Sequence, residues 1–137
     1  MTSVTVVISI IGGLLFVLFI LPRLLMALQT AKLKGKDAPV PHKNSAKRIK
    51  SGKKTILYFY TPSCGACKMQ TPSIERIKKK YPDAIYKIDA SKHRDAASAY
   101  GVMGVPFLAF IDRGKVVTAK AGVQPETALS NFLASDN

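Results

Sequence analysis

Both cysteines of this 137-residue chain lie in one Cys-Gly-Ala-Cys segment, Cys64–Cys67. The segment follows Thr55–Tyr60, a run of β-branched and aromatic residues that is typical of a buried strand. Apolar residues at helical spacing come next, among them Met69 and Ile77. The sequence therefore predicts a strand, a turn that carries two thiols, and a helix over Cys64–Tyr81.

The spacing of the two cysteines favours thiol–disulfide chemistry. Residues three apart on a helix share a face, so the two sulfurs can reach each other. At the helix start, unpaired N–H groups and the helix dipole lower a thiol pKa, which predicts that Cys64 reacts first and Cys67 second. The alternatives are a structural pair or half of a metal site, but His42 and His93 do not stand at ligand spacing.

Residues 55–133 resemble thioredoxin in several ordered motifs. Cys64–Pro72 resembles the active-site helix of that family, and Ile85–Asp89 resembles its third strand. Tyr100–Phe107 resembles the loop that carries its cis-proline, and Gly122 stands at the glycine of its final strand. The resemblance implies an α/β, thioredoxin-like fold, with a central mixed sheet flanked by helices.

The resemblance also implies roles for four residues. Cys64 would attack a substrate disulfide, Cys67 would resolve the product, and the two would form a redox-active disulfide. Pro106 would be cis and would place the backbone of Val105 beside the sulfurs, to bind an extended substrate segment. No bound cofactor is expected, because electrons would come from a separate reductase or redox partner.

Three positions depart from the pattern of the family. Ser63 stands where a tryptophan precedes the first cysteine, and Ala66 stands where a proline separates the cysteines. Tyr58 replaces a buried acid that helps to move the proton of the resolving thiol, and the lysine partner of that acid falls at Ile85. These departures leave the redox potential and the pH optimum open, while the reaction type stands.

Turn residues and apolar patterning predict the remaining elements. We expect helices over His42–Ser51, Ser91–Tyr100 and Pro125–Ala134, strands over Ile85–Asp89, Phe107–Asp112 and Lys115–Ala121, and His93 on an exposed helix face. The expected organisation is an anchor over residues 1–28, a basic tether over residues 29–52 and a thioredoxin-like domain over residues 53–137. The tether is expected to contain a possible short helix and to be exposed along residues 32–42.

The N-terminal segment predicts a single transmembrane helix before the domain. Val4–Leu21 is apolar and uncharged, and its eighteen residues span about 27 Å as a helix, enough to cross the hydrocarbon core. A cleavable signal peptide is the rival. Met1–Ser3 carries no basic side chain and the residues near Ala27 and Ala31 lack an Ala-x-Ala pattern, so we predict an uncleaved anchor.

Charge predicts which side of the membrane the domain occupies. The formal net charge is +13, and Arg23–Lys54 holds ten Lys or Arg residues and one acid, Asp37. Because this positive charge follows the anchor, the positive-inside rule places the domain in the cytoplasm, with the periplasmic or extracytoplasmic side as the alternative. Aromatic residues for base stacking are missing from this stretch, so we expect no nucleic-acid partner.

These observations predict a membrane-tethered thiol–disulfide oxidoreductase that reduces protein disulfides through Cys64 and Cys67. The apolar surface around Tyr60, Pro62, Val105 and Pro106 is the predicted docking face. Three alternatives stay open. The first is an extracytoplasmic protein that acts as an oxidase, an isomerase or a cytochrome-maturation reductant. The second is a soft-metal-binding module, and the third is a scaffold without redox turnover.

Overall fold

The computed structural model describes residues 2–39 and 43–135. The helices are α1 (Thr2–Leu33), α2 (Lys43–Lys50), α3 (Gly65–Lys80), α4 (Arg94–Ala99) and α5 (Glu126–Ala134). The strands are β1 (Thr55–Tyr60), β2 (Ile85–Asp89), β3 (Phe107–Asp112) and β4 (Lys115–Ala121). All four strands have the bounds predicted from the sequence.

The strands form one mixed sheet in the order β2-β1-β3-β4. β1 runs parallel to β2, while β3 is antiparallel to both β1 and β4. The β3–β4 hairpin turns at Arg113 and Gly114, both with positive φ, a backbone whose twist matches that of the flanking strands. The central mixed sheet predicted from the sequence is therefore present.

The core lies on both faces of the sheet. One face packs Leu57 and Phe59 against α2 and α4, and the other packs Ile56 and Tyr58 against α3 and α5. β1 is buried on both sides, which explains why its sequence is a continuous apolar run without polar alternation. The C-terminal end of β1, at Tyr60, leads into the turn before α3.

The segment after α1 matches the exposed tether predicted for residues 32–42 only in part: residues 34–37 are exposed, but the backbone is paired with the domain and Ala38 is buried. The amide of Gly35 donates to the carbonyl of Val116 at 2.7 Å, and the amide of Ala38 donates to that of Gly114 at 2.8 Å. Ala38 is only 8% exposed. The open edge of β4 offers unpaired backbone groups, and this segment pairs with them. The last three residues of the predicted tether lie outside the described residues.

The end of α1 is joined to the domain. The helix extends past the predicted anchor to Leu33, whose side chain packs against the core cluster that contains Tyr100. The Tyr100 hydroxyl donates a hydrogen bond to the carbonyl of Pro39 at 2.6 Å. The lysines dominate the sequence of this stretch, and these apolar and backbone contacts could not be predicted from it.

α4 starts three residues later than predicted. The Asp89 carboxylate accepts hydrogen bonds from the amide and hydroxyl of Ser91, at 3.0 and 2.6 Å, and this turn precedes the helix. His93 is the half-buried N-cap of α4, which corrects its predicted place on an exposed face. α2 is present over Lys43–Lys50, and the predicted first residue of that helix, His42, lies outside the described residues.

α1 contains a segment, Ser3–Leu25, that is long and apolar enough to cross a membrane. Its apolar side chains are exposed around the helix, and the segment is not buried against the domain. A signal sequence near an N-terminus meets the same criteria of length and composition. The structure thus identifies a candidate span.

Replacing Tyr100 with phenylalanine removes the hydroxyl that binds the carbonyl of Pro39. We expect the free energy of unfolding of the domain to fall by about 1 kcal/mol, the ordinary net value of such a hydrogen bond. Urea unfolding of the full chain in mild detergent measures the loss. Tyr81→Phe is the matched control, since no hydrogen bond of its hydroxyl occurs among the described residues. Equal losses in both variants would contradict the role given to Tyr100.

Candidate active site

Cys64 and Cys67 form a disulfide at the start of α3, with their Cα atoms 5.2 Å apart. β1 ends at Tyr60, and the chain turns into the helix with Cys64 as the N-cap, in an extended backbone conformation. The Cys64 sulfur accepts a hydrogen bond from the amide of Cys67 at 3.1 Å. That amide belongs to the first turn of the helix, whose N–H groups have no partner within the helix.

The two sulfurs differ in their access to solvent. Cys67 is 2% exposed and packs in the core cluster of α3, whereas Cys64 is half-buried at its edge. In the reduced protein, the amide of Cys67 and the helix dipole would favour a thiolate at Cys64. Cys64 is therefore the more accessible of the two sulfurs.

The Val105–Pro106 peptide bond is cis. It places the carbonyl oxygen of Val105 3.6 Å from the Cys64 sulfur. Val105 is half-buried and Pro106 is buried, and the carbonyl of Pro106 accepts a hydrogen bond from the amide of Gly122 at 2.8 Å. The structure thus brings all four predicted site residues together.

Tyr58 occupies the position where the resemblance led us to expect a buried acid. Its hydroxyl donates to the carbonyl of Cys67 at 3.1 Å, and the Thr71 hydroxyl donates to the same oxygen at 2.8 Å. Burial is the largest influence on Tyr58, and it raises the pKa of the phenol above its ordinary value. Tyr58 is therefore a neutral hydrogen-bond donor near pH 7 and not a base.

A lysine does lie beside Tyr58. It is Lys87, two residues after Ile85, the position at which the resemblance places the lysine. Lys87 pairs in register with Tyr58 on the neighbouring strand. Its ammonium lies 2.8 Å from the Glu75 carboxylate and 5.4 Å from the centre of the Tyr60 ring. The hydrogen bond from Lys87 is the largest cause that lowers the pKa of Glu75. Strand alternation puts Ile85 and Lys87 on one face, a signal the sequence analysis did not use.

Gln70 is a second residue that the sequence analysis missed. Its side chain is fully buried and makes two hydrogen bonds to the backbone of Gln124. It donates to the carbonyl at 3.2 Å and accepts from the amide at 2.6 Å. Gln70 thereby fastens the loop before α5 to the helix that carries the cysteines.

Met103 lies beside Val105 of the predicted docking face, and Met69 is a second exposed methionine. Met69 is 72% exposed and Met103 is 64% exposed, and neither was identified from the sequence. A cavity of about 380 Å³ is lined by Met103 and Val105, among other residues. Of the predicted docking residues, Pro62 is exposed, whereas Pro106 is buried. Exposed methionines adapt their shape to apolar partners, which suits a surface that meets more than one protein.

A metal site with three or more ligands, whether or not it included the two cysteines, would require a cluster of His, Cys, Asp or Glu side chains. Within residues 2–39 and 43–135, no three His, Cys, Asp or Glu side chains cluster so as to hold an ion.

The chain is similar in sequence to known thioredoxins. The sequence model of the thioredoxin family matches residues 38–135. The chain is 38% identical to thioredoxin of Borreliella burgdorferi over 80 residues, which are 57% of this chain and 68% of that protein. It is 36% identical to thioredoxin of Bacillus subtilis over 77 residues, 55% of this chain and 74% of that protein.

Solved structures give the same result for the fold. A mutant thioredoxin from Halobacterium salinarum superposes with a TM-score of 0.58 and 34% identity, covering 66% of this chain and 80% of that one. Mitochondrial thioredoxin 3 from Saccharomyces cerevisiae, in its oxidised form, superposes with a TM-score of 0.57 and 28% identity, covering 65% and 84%. The family match extends over the sheet, the cysteine pair and the cis-proline loop, and α1 lies outside it.

Replacing Gln70 with leucine removes both hydrogen bonds to the backbone of Gln124. We expect the free energy of unfolding to fall by about 2 kcal/mol, because the backbone amide and carbonyl of the half-buried Gln124 lose their partner. Gln124→Ala is the matched control, since it keeps the backbone groups that bind Gln70. Urea unfolding of both variants checks this. A loss for Gln70→Leu no larger than that of the control would contradict the assignment.

Proposed function

The chain belongs to the thioredoxin family of thiol–disulfide oxidoreductases, and we propose that it is a membrane-tethered reductant of protein disulfides. Cys64 attacks and Cys67 resolves in this proposal. The observation that carries it is the environment of the Cys64 sulfur. That sulfur accepts a hydrogen bond from the amide of Cys67. It also lies beside the carbonyl of Val105, the residue that precedes the cis-proline Pro106.

The first step forms a mixed disulfide. The Cys64 thiolate attacks one sulfur of a substrate disulfide, a Cys64–substrate bond forms, and the substrate S–S bond breaks. The departing substrate sulfur leaves as a thiolate and takes a proton from water. Exposure of Cys64 at the edge of the core gives a protein substrate access to it.

The second step releases the reduced substrate. The Cys67 thiol loses its proton and attacks the Cys64 sulfur, which forms the Cys64–Cys67 bond and expels the second substrate thiolate. That thiolate takes up one proton, so two electrons pass from the cysteine pair to the substrate, and the two substrate thiols take their protons from the solvent, to which Cys67 has released one. A separate reductase or redox partner then restores the dithiol, and no bound cofactor takes part.

The loop at the cis peptide bond is the proposed substrate-binding element. Pro106 has no amide hydrogen, and its cis bond fixes where the backbone of Val105 faces the cysteines. We propose that the backbone of Val105 pairs with an extended substrate segment, as a strand pairs at a sheet edge. Met103, which lines a cavity together with Val105, would then supply an adaptable apolar contact beside this loop.

The proton of Cys67 has no carboxylate to receive it at the Tyr58 position. Tyr58 is neutral and already donates to the carbonyl of Cys67, so it positions the resolving cysteine instead of deprotonating it. In the proposal, that proton leaves through water.

The membrane part of the proposal concerns residues 4–21. The apolar side chains of this segment are exposed on all sides, which is stable in lipid and costly in water. α1 continues without interruption into Leu33, and the next residues pair with β4. An uncleaved anchor accounts for this continuity. The excess of Lys and Arg after the span supports a domain on the cytoplasmic side.

Trapping experiments test the roles of the two cysteines. With Cys67→Ser, the second step cannot occur, and we expect covalent adducts with substrate proteins that migrate as larger species and disappear on reduction. Cys64→Ser is the matched control and should yield few adducts, because the buried Cys67 is not accessible. Adducts formed equally by both variants, or more by Cys64→Ser, would reverse or refute the assignment.

A reporter fused to the C-terminus tests the proposed topology. Green fluorescent protein at that position should fluoresce, and alkaline phosphatase should stay inactive, because the first requires the cytoplasm and the second an oxidising compartment. Cell fractionation should recover the intact fusion with the membranes. The opposite pair of reporter signals would place the domain outside, and a soluble, shortened product would identify a cleaved signal sequence.

A further inference from the structure

A second cavity lies at the end of the sheet opposite the cysteines, and we call it the basic cavity. Its volume is about 830 Å³, and its basic side chains are Lys43, Lys47, Arg48, Lys53, Lys78 and Lys87. Lys53 precedes β1, and β2 begins at Ile85, which also lines the cavity. The disulfide follows the other end of β1, so the basic cavity is separate from the candidate active site.

The charges around the basic cavity are not balanced by the protein. Six basic side chains line it, together with one acidic side chain, Asp83. Lys87 is paired with Glu75, and the other ion pair within the described ranges joins Arg76 to Glu126, away from this cavity. Like charges gathered around one space repel one another. A ligand with several negative charges would relieve that repulsion.

One cation of the basic cavity is held in place by the backbone. The half-buried Arg48 donates a hydrogen bond from Nε to the carbonyl of Lys54 at 3.0 Å, which fixes the direction of its guanidinium. A fixed guanidinium suits phosphate oxygens, because its planar donors bind two of them together. Lys47 and Lys53 are exposed and free to approach the same ligand.

The wall of the basic cavity includes one aromatic ring. Tyr86 is half-buried, and burial is the largest cause that raises the pKa of its phenol. Asp83 raises that pKa further and Arg48 lowers it, so both charged groups lie near the ring. A volume of this size accommodates a small organic ligand. A single ring offers little for the successive stacking that single-stranded nucleic acids require.

We propose that the basic cavity binds a small ligand with clustered phosphate groups, either a soluble polyphosphate or the phosphorylated headgroup of a lipid. Arg48 and the lysines at the mouth bind the phosphates, and Ile85 and Tyr86 contact the less polar part of the ligand. The site does not use the cysteines. This inference therefore goes beyond the proposed function and stands or falls separately from it.

Calorimetric titration of the full chain with inorganic tripolyphosphate tests the site. The protein is held in nanodiscs of neutral phosphatidylcholine at fixed ionic strength. We expect saturable binding of one tripolyphosphate per chain. The double variant Lys47→Gln/Lys53→Gln should weaken it at least about 10-fold, since two charge-assisted hydrogen bonds to the phosphates are lost. Both side chains are exposed, so the fold should tolerate the change.

The matched control is Lys79→Gln/Lys120→Gln, which removes the same charge from exposed positions outside the basic cavity. The control should change the affinity by less than about 2-fold, the effect of screened, distant charges. Equal weakening by both pairs, or binding that never saturates, would overturn the proposal. A short single-stranded oligonucleotide that binds more tightly than tripolyphosphate, with the same dependence on Lys47 and Lys53, would overturn it in favour of nucleic acid.

A change in the lipid composition of the nanodiscs distinguishes a soluble polyphosphate from a lipid headgroup. The titration is repeated in nanodiscs that contain a phosphoinositide phosphate, a lipid with several phosphate groups. If tripolyphosphate then binds at least about 10-fold more weakly to the wild-type chain, a lipid headgroup occupies the basic cavity. An unchanged affinity shows that the ligand is soluble. Both results support the site and assign its ligand to one of the two sources.

Discussion

The hydrogen bond from the amide of Cys67 to the sulfur of Cys64 is the contact on which the proposed chemistry of this protein depends. It exists because β1 ends directly before α3, and because Cys64 takes the N-cap position that a polar side chain usually fills. The amide would otherwise have no partner within the helix. A reduced Cys64 in that position gains a donor for its thiolate, while Cys67 one turn later enters the core.

The rest of the domain holds this junction in place from three sides. The cis peptide bond before Pro106 sets the carbonyl of Val105 beside the same sulfur. Gln70 ties the loop before α5 to α3, and Tyr58 and Thr71 both donate to the carbonyl of Cys67. None of these contacts supplies a base. The structure therefore positions Cys67 through neutral hydrogen bonds, and in the proposed mechanism, where Cys67 resolves the mixed disulfide, its proton passes to water.

The strands and the cysteine junction could be predicted from the sequence because local signals agree there. β1 is a continuous apolar run, and the hairpin at Arg113 and Gly114 carries its turn residues between two strands of similar length. The edge contacts of Gly35 and Ala38 could not be predicted in this way, because they depend on backbone groups of β4 that are distant in sequence. The same holds for Gln70, whose partner is a backbone 54 residues away.

A redox titration of the full chain in neutral nanodiscs, with thiol trapping at each glutathione potential, tests the central claim most directly. The account predicts one reversible transition in which both cysteines change together, with a midpoint below about −250 mV, as expected of a reductant that works in the cytoplasm. A midpoint near about −180 mV or higher would contradict the proposed reductant role. The absence of any reversible transition between Cys64 and Cys67 would contradict the redox function itself.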